Sequence, residues 1–279
     1  MTALNDDTVD VVNITADFAV LLSDSSAQYA GVTRNTNVTI NGGDFTITGN
    51  DSRRMLTFCS SVPYIFTVNN LTFADSSNYT EGGAVFITKD VTGVFNSCTF
   101  TNNHSTDNDG GALYVPRGGS PLTLNNCTFT GNSALDTIGY GGGAVFTQGD
   151  VTITNCVFTN NQATRSGALY AAGGITATNC IFENNSVIAK TDYAGNGGAV
   201  YLGAWQSAVF DSCTFLGNTV SSNIREAGAY IYSIKNIVFK GTNTVSRGSE
   251  NDLGDYGIAF PPSPTASTGL RVGSWSTRE

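Results

Sequence analysis

The segment NNCTFTGN at residues 125–132 is repeated almost unchanged as TNCVFTNN at residues 154–161. The shared pattern is Cys-x-Phe-x-x-Asn, and its five cysteines are Cys98, Cys127, Cys156, Cys180 and Cys213. Successive cysteines are 29, 29, 24 and 33 residues apart. Similar segments extend the pattern at both ends, with Leu71-x-Phe73 before it and Ile237-x-Phe239 after it. The chain is therefore built from repeats, which have to be recognised before the fold is assigned.

A second motif alternates with the first and keeps the same order through six periods. It occurs as GGAVF at 82–86, GGALY at 110–114, GGAVF at 142–146, SGALY at 166–170, GGAVY at 197–201 and AGAYI at 227–231. The alternation of Val151 and Ile153 with threonines is typical of a half-buried strand. Cys156 follows Ile153 by three residues, which breaks this period of two and predicts a turn at Asn155.

Each turn is expected at the residue that precedes the cysteine position. Asn and Ser predominate there, and Asn tolerates the left-handed backbone that a tight corner needs. The residues are Asn70, Ser97, Asn126, Asn155, Asn179, Ser212 and Asn236.

These repeats predict an all-β fold, a right-handed parallel β-helix with about 24–33 residues per coil. In such a solenoid each coil buries its interior against the coils above and below. We expect an N-terminal cap at residues 1–36, the parallel β-helix at 37–259 and a Pro/Ser/Thr-rich tail or linker at 260–279.

Composition excludes some classes of function. The net charge is −9, and the 13 basic residues are scattered, so we expect no nucleic-acid partner. No apolar run is long enough for a transmembrane helix, and the first residues do not resemble a signal peptide.

We expect no cofactor and no metal, because each coil contributes one cysteine and the only histidine is His104. The column cysteines are expected to pack as small apolar residues.

The last residue of each repeat is expected to form a structural ladder inside the solenoid. Stacked amides can hydrogen-bond from coil to coil and satisfy buried backbone groups. The predicted ladder consists of Asn103, Asn132, Asn161, Asn185 and Asn218.

Among eight Asn-x-Ser/Thr sequons, Asn50 and Asn78 are the glycosylation candidates because they are expected in loops.

One column is a candidate binding surface. If the aliphatic residues of the Gly-Gly-Ala strands face inward, the residues between them face outward as an aromatic stripe. The stripe consists of Phe86, Tyr114, Phe146, Tyr170 and Tyr201, followed by Ile231. Such a stripe could bind sugars, a partner protein or another copy of the chain.

Thr-x-Thr at 152–154 and 176–178 is also similar to the threonine ranks of ice-binding β-helices, but Asn125, Val94, Val209 and Asp211 interrupt it. Asp107 and Asp109 are expected to form a turn rather than a calcium site.

The paired Gly-Gly-Ala and Phe-x-x-Asn motifs over residues 69–243 resemble the passenger repeats of chlamydial polymorphic outer membrane proteins. That resemblance implies an extracellular or cell-surface adhesin. We therefore expect a non-enzymatic structural or adhesive surface protein whose partner is a cell-surface protein or glycan. The alternatives are a self-assembling filament subunit, whose partner is its own copies, and a carbohydrate-active β-helix enzyme. The sequence lacks the segments typical of polygalacturonases, so we expect no enzyme.

Overall fold

The protein is built from four parallel sheets, three with nine or ten described strands and one with six, and each complete coil contributes one short strand to each sheet. The computed structural model describes residues 2–20, 31–50, 54–135, 141–188, 196–203, 208–221, 231–233, 237–245, 258–259 and 275–277. Every strand pair is parallel, and the strand order within each sheet follows the chain. The fold is an all-β, right-handed parallel β-helix, as the repeats predict.

The sheets are named by their order along one coil. Sheet 1 holds the Gly-Gly-Ala strands: Gly31–Thr33, Leu56–Cys59, Val85–Ile87, Leu113–Val115, Val145–Thr147, Leu169–Ala171, Val200–Leu202, Ile231–Ser233 and Ile258–Ala259. Sheet 2 follows it: Val11–Asn13, Val38–Asn41, Tyr64–Asn69, Val91–Asn96, Leu122–Asn125, Val151–Thr154, Ile175–Thr178, Ala208–Asp211 and Ile237–Lys240.

Sheet 3 holds the Cys-x-Phe strands: Phe18–Ala19, Thr46–Thr48, Thr72–Ala74, Thr99–Thr101, Thr128–Thr130, Val157–Thr159, Ile181–Glu183, Thr214–Leu216, Asn243–Val245 and Trp275–Thr277. Sheet 4 leads back to sheet 1: Ser77–Asn78, His104–Ser105, Ser133–Ala134, Gln162–Ala163, Ser186–Ile188 and Thr219–Ser221. A single 3₁₀ turn, Ala3–Asn5, precedes the sheets.

The corners between sheets 2 and 3 have the backbone conformation predicted from the sequence. Their φ angles lie between 51° and 56°, which is the left-handed region that Asn adopts more readily than most residues. The residues are Asn70, Ser97, Asn126, Asn155, Asn179 and Ser212. The seventh predicted corner, Asn236, lies outside the described residues.

The centre of the solenoid is a stack of phenylalanine rings from sheet 3. Neighbouring rings lie 4.7–5.0 Å apart with interplanar angles of 2–8°, and the stack consists of Phe73, Phe100, Phe129, Phe158, Phe182 and Phe215. All six residues are fully buried. Because neighbouring strands are about 4.8 Å apart, identical rings of neighbouring coils are held in face-to-face contact in the core.

The structure corrects the placement of Ile237. Its strand pairs with Ala208–Asp211 in sheet 2, so Ile237 lies opposite Ala208 and not below Cys213. Asn243 occupies the cysteine position instead, and its Oδ1 accepts the backbone N–H of Cys213 at 2.9 Å. The Ile-x-Phe pattern was misleading because strands of sheet 2, such as Ala208-x-Phe210, have the same apolar alternation.

The predicted segment boundaries do not coincide with the ends of the sheets. Val11–Asn13 pairs with Val38–Asn41, so a coil of the solenoid already lies within residues 1–36. At the other end, Trp275–Thr277 pairs with Asn243–Val245. Residues 260–274, most of the predicted tail, lie outside the described residues.

A buried arginine holds the N-terminal segment on the first coils. The Arg34 guanidinium donates to the backbone carbonyls of Leu4, Asp6 and Val9 at 2.7–3.1 Å, and Arg34 is fully buried. A buried charge is stabilised when several hydrogen bonds satisfy its donors. Sequence patterns do not predict this contact, because a lone Arg outside the repeats belongs to no period.

Candidate functional site

The predicted aromatic residues lie on one outer column of sheet 1. Phe86, Tyr114, Phe146, Tyr170 and Tyr201 occupy equivalent strand positions. Their aliphatic neighbours on either side, for example Val85 and Ile87, belong to the main hydrophobic core, whereas the aromatic residues do not. Period-two alternation thus places the column on the outside of the sheet.

The sixth member of this column is Tyr232, which corrects the sequence alignment at that coil. Ile231 pairs with Val200 and is buried in the core, and Tyr232 pairs with Tyr201. The Tyr201 and Tyr232 ring centroids are 4.9 Å apart. Aligning AGAYI with GGAVY places Ile231 one residue too early, because Gly-Ala is followed there by Tyr230, an additional residue relative to GGAVY.

The rings of the aromatic column stack on one another face to face. Neighbouring centroids are 4.6–5.2 Å apart, and the interplanar angles are 3–21°. Phe146 and Tyr170 are buried, with 1% and 6% of their surface exposed, whereas Phe86, Tyr114, Tyr201 and Tyr232 are half-buried. Because the faces of neighbouring rings cover each other, the stack offers ring edges and not ring faces, and among the inner rings Tyr114 and Tyr201 are partly exposed. A sugar cannot stack on them as it would on an isolated aromatic ring.

An arginine closes the N-terminal end of the column. The Arg54 guanidinium carbon lies 4.9 Å from the centroid of the Phe86 ring, within the range of a cation–π contact. Arg54 also donates to the Gly82 carbonyl at 3.0 Å and to Thr57 Oγ1 at 3.3 Å. Arg54 therefore covers the face of the Phe86 ring that is turned away from Tyr114.

Two tyrosine hydroxyls of the column remain protonated at neutral pH. Burial, with a smaller effect of the nearby charges of Glu81 and Asp109, raises the pKa of Tyr114 to about 12. Burial also raises the pKa of Tyr232, against a smaller opposing effect of Arg165. Both hydroxyls can thus donate as well as accept hydrogen bonds. Within the described part of the chain, neither makes a hydrogen bond.

The buried asparagines lie in one column at the corner between sheets 3 and 4. Each side-chain Nδ2 donates to Oδ1 of the next asparagine at 2.9–3.0 Å, and the same Oδ1 accepts a backbone N–H at 2.9–3.0 Å. Nδ2 also donates to a phenylalanine carbonyl of the preceding coil at 2.8–3.0 Å. The residues are Asn103, Asn132, Asn161, Asn185 and Asn218, all fully buried. Their role is structural.

A second asparagine ladder lies on the outside of sheet 2. Nδ2 of each residue donates to Oδ1 of the residue one coil before it at 2.9–3.0 Å, through Asn13, Asn41, Asn69, Asn96 and Asn125. This ladder was not predicted from the sequence, in which Asn precedes three of the seven predicted corners, Asn70, Ser97 and Asn126. Its column continues with Thr154, Thr178, Asp211 and Lys240, so this position tolerates other residues.

The cysteines of the repeat are stacked inside the solenoid as free thiols. Cys156 Sγ accepts the backbone N–H of Cys127 at 3.2 Å, which places these two residues on neighbouring coils. The hydrogen bond with Cys127 and burial both raise the pKa of Cys98 and of Cys156. Cys180 and burial have the same effect on the pKa of Cys213. Among the residues that the structure describes, no group of three or more His, Cys, Asp or Glu side chains could hold a metal ion.

Thiol labelling should separate the cysteine column from Cys59. Cys59 is half-buried and free, whereas the five column thiols are buried. With a chromogenic disulfide reagent at pH 8, we expect one thiol to react in the native protein and six after denaturation. Burial raises the pKa of Cys59, so its labelling rate should be slow and should increase with pH as thiolate forms. Labelling of more than one thiol under native conditions would contradict the buried column.

Asp107 and Asp109 lie in a segment of bends at residues 106–109. Asp109 is buried, and its Oδ1 accepts the backbone N–H of Gly141 on the next coil at 2.7 Å. Gly141 has a φ of 92°, so the carboxylate fixes an irregular segment of backbone. This contact accounts for a carboxylate at this position without a bound ion.

The two glycosylation candidates differ in their surroundings. Asn50 is exposed, with a φ of 52°, two residues beyond the strand Thr46–Thr48. Asn78 was expected in a loop, but it lies in the strand Ser77–Asn78 and is half-buried. Its Nδ2 donates to Thr80 Oγ1 at 2.9 Å, the hydroxyl of its own sequon. Asn50 is therefore the more accessible acceptor of the two.

Stacked parallel coils with inward aliphatic columns define the protein as a β-helix, and comparison with known proteins agrees. A family model described as a right-handed β-helix region matches residues 20–215. The chain belongs to this right-handed β-helix family. Searches of curated proteins and of solved structures find no match. Among the described residues, no helix is long and apolar enough to cross a membrane.

Proposed function

We propose that this protein is a non-enzymatic structural or adhesive protein of the cell exterior, and that it binds a cell-surface glycan through the tyrosine edge of its aromatic column. The repeats resembling polymorphic outer membrane proteins support this location and role. The observation that carries the proposal is the outer column of six stacked rings with partly exposed tyrosines at positions 114, 201 and 232.

The mode of binding follows from the ring geometry. Since the rings cover each other's faces, the ligand has to be recognised by hydrogen bonds at the tyrosine edge and not by stacking. Tyr114 and Tyr232 carry the protonated hydroxyls described above, and they lie four coil steps apart, about 19 Å at about 4.8 Å per step. Such a distance suits an extended ligand with several hydroxyl groups. The buried rings between them keep the two tyrosines in fixed positions.

A variant lacking only the two hydroxyls tests this proposal. Tyr114→Phe combined with Tyr232→Phe keeps the stacked column, so the melting temperature should be nearly unchanged. Loss of two hydrogen bonds of about 1 kcal/mol each is expected to weaken binding on a glycan array by about tenfold or more. The control is Tyr79→Phe, which removes a hydroxyl from a residue that is 76% exposed and outside the column. Equal binding by the double variant and the wild type would exclude the column as the glycan site.

Other outcomes would favour the alternative functions. Release of reducing sugars from polysaccharide by the wild-type protein would identify an enzyme. Binding to intact cells that persists after the glycans are removed would identify a protein partner.

A filament subunit is the second candidate, and the N-terminal coil favours it. Val11 and Phe18 are 51% and 45% exposed, and they lie in the strands at the ends of sheets 2 and 3. Edge strands with exposed apolar side chains pair readily with another chain. Fibres in electron micrographs of the wild type that disappear with Val11→Lys would support this function.

A further inference from the structure

The outer surface of sheet 3 carries two neighbouring rows of threonine. Strand pairing places Thr46, Thr72, Thr99 and Thr128 in one row, which Val157 continues. The second row lies two residues further along each strand and consists of Thr48, Ala74, Thr101, Thr130 and Thr159. Eight of these ten positions are thus threonine. The Thr-x-Thr motif is complete in three of these five strands, Thr46–Thr48, Thr99–Thr101 and Thr128–Thr130.

The hydroxyl groups of this threonine surface are available to a ligand. Within the described residues, the side-chain hydroxyls of seven of the eight threonines make no hydrogen bond, and only Thr48 Oγ1 is used, by the backbone N–H of Asn50 at 3.2 Å. The threonines are half-buried, as neighbours in a closely packed row are. No charged side chain occupies any of the ten positions. The surface therefore combines free hydroxyls and methyl groups at regular intervals.

The core beneath this surface fixes these intervals. Between the two rows, the side chain of each strand points inward, and from Phe73 to Phe158 these are the stacked phenylalanines, 4.7–4.8 Å apart. Along a row the repeat is one strand spacing, about 4.8 Å, and between the rows it is two residues of strand, about 6.7 Å. Five coils give an ordered area about 19 Å long. Side chains held in this way lose little entropy when a ligand binds.

We infer that the threonine surface binds ice. The threonine side chains repeat in two dimensions, so a ligand can match all of them only if its own groups repeat in two dimensions, as in a crystal lattice. The absence of charge and of exposed aromatic faces from the ten positions disfavours ions and stacked sugars. Hydroxyls that anchor water, together with methyl groups that order the water between them, suit the oxygen lattice on a face of ice. The interaction is independent of the aromatic column on sheet 1.

Ice growth measured with the purified protein tests this inference. We expect the wild type to give thermal hysteresis and faceted ice crystals, and to inhibit recrystallisation. Thr128→Tyr places a bulky ring at the centre of the surface and should abolish these effects. The control is Thr152→Tyr, which introduces the same ring at an exposed threonine on sheet 2. Circular dichroism and the melting temperature establish that both variants are folded.

A second variant separates surface shape from folding. Thr128→Val keeps the size of the side chain and the fold, and should retain part of the activity because the methyl lattice persists. Wild-type protein without any effect on ice growth would overturn the inference, as would equal activity of Thr128→Tyr and the wild type. Retention on crystalline chitin or cellulose without an effect on ice would overturn it as well and would assign the surface to a polysaccharide lattice.

Discussion

Replacing Asn161 by Leu is expected to lower the free energy of unfolding by about 4 kcal/mol. Leu has a similar volume, so the main loss is hydrogen bonding. The change removes four hydrogen bonds: from Asn161 Nδ2 to the Phe129 carbonyl at 3.0 Å and to Asn185 Oδ1 at 2.9 Å, and from two N–H groups of Asn132 to Asn161 Oδ1, each at 3.0 Å. The backbone N–H of Asn132 would remain buried without a partner, which alone costs about 1–3 kcal/mol, whereas Asn132 Nδ2 keeps its bond to the Phe100 carbonyl at 3.0 Å. Urea unfolding followed by circular dichroism measures the effect.

The matched control is Asn125→Leu in the outer ladder. Asn125 is half-buried and donates one side-chain hydrogen bond, to Asn96 Oδ1 at 2.9 Å. Water can replace that bond, and Thr154 occupies the same column in the next coil. We expect a loss of about 1 kcal/mol or less. Equal losses for the two variants would show that the inner ladder contributes no more than a surface amide.

The sequence predicted the features of this fold that depend on a single repeated residue. The corners at Asn126 and Asn155 follow from a break in strand period, and the inner ladder follows from an Asn at a fixed distance after Phe. Both are local requirements, because a left-handed corner and a buried carbonyl each restrict the residue at one position. The stacked coils follow once these positions are aligned.

Where the prediction was wrong, the register depended on a segment that departs from the repeat. The additional residue at Tyr230 shifted Ile231 into the aromatic column, where the structure has Tyr232. The orientation of the rings was also inaccessible, because a column of Phe and Tyr gives the same pattern whether the rings stack or diverge. Arg34 depends on contacts with Leu4 and Val9 from another coil. A periodic pattern does not encode such contacts.

Replacing Phe129 by Ala is the second change with a large expected effect. Phe129 is fully buried, and its ring is 4.8 Å from that of Phe100 and 4.7 Å from that of Phe158. The cavity and the lost burial should cost about 3–5 kcal/mol. For a domain of this size, a loss of 1 kcal/mol lowers the melting temperature by about 2–4 °C, so a decrease of about 10 °C is expected. Calorimetry measures both the temperature and the enthalpy of unfolding.

The matched control for Phe129→Ala is Phe18→Ala, at the N-terminal end of the same column of inward-facing residues of sheet 3. Phe18 lies opposite Ile47, which lies opposite Phe73, so Phe18 stands at the N-terminal end of the column. It is 45% exposed, and Phe18→Ala removes the same atoms with half the burial and no enclosed cavity. Because coils in a solenoid interact mainly with their neighbours, a central substitution weakens two interfaces and a terminal one weakens one. A decrease of the melting temperature at Phe18 as large as that at Phe129 would show that stability is not distributed along the phenylalanine stack.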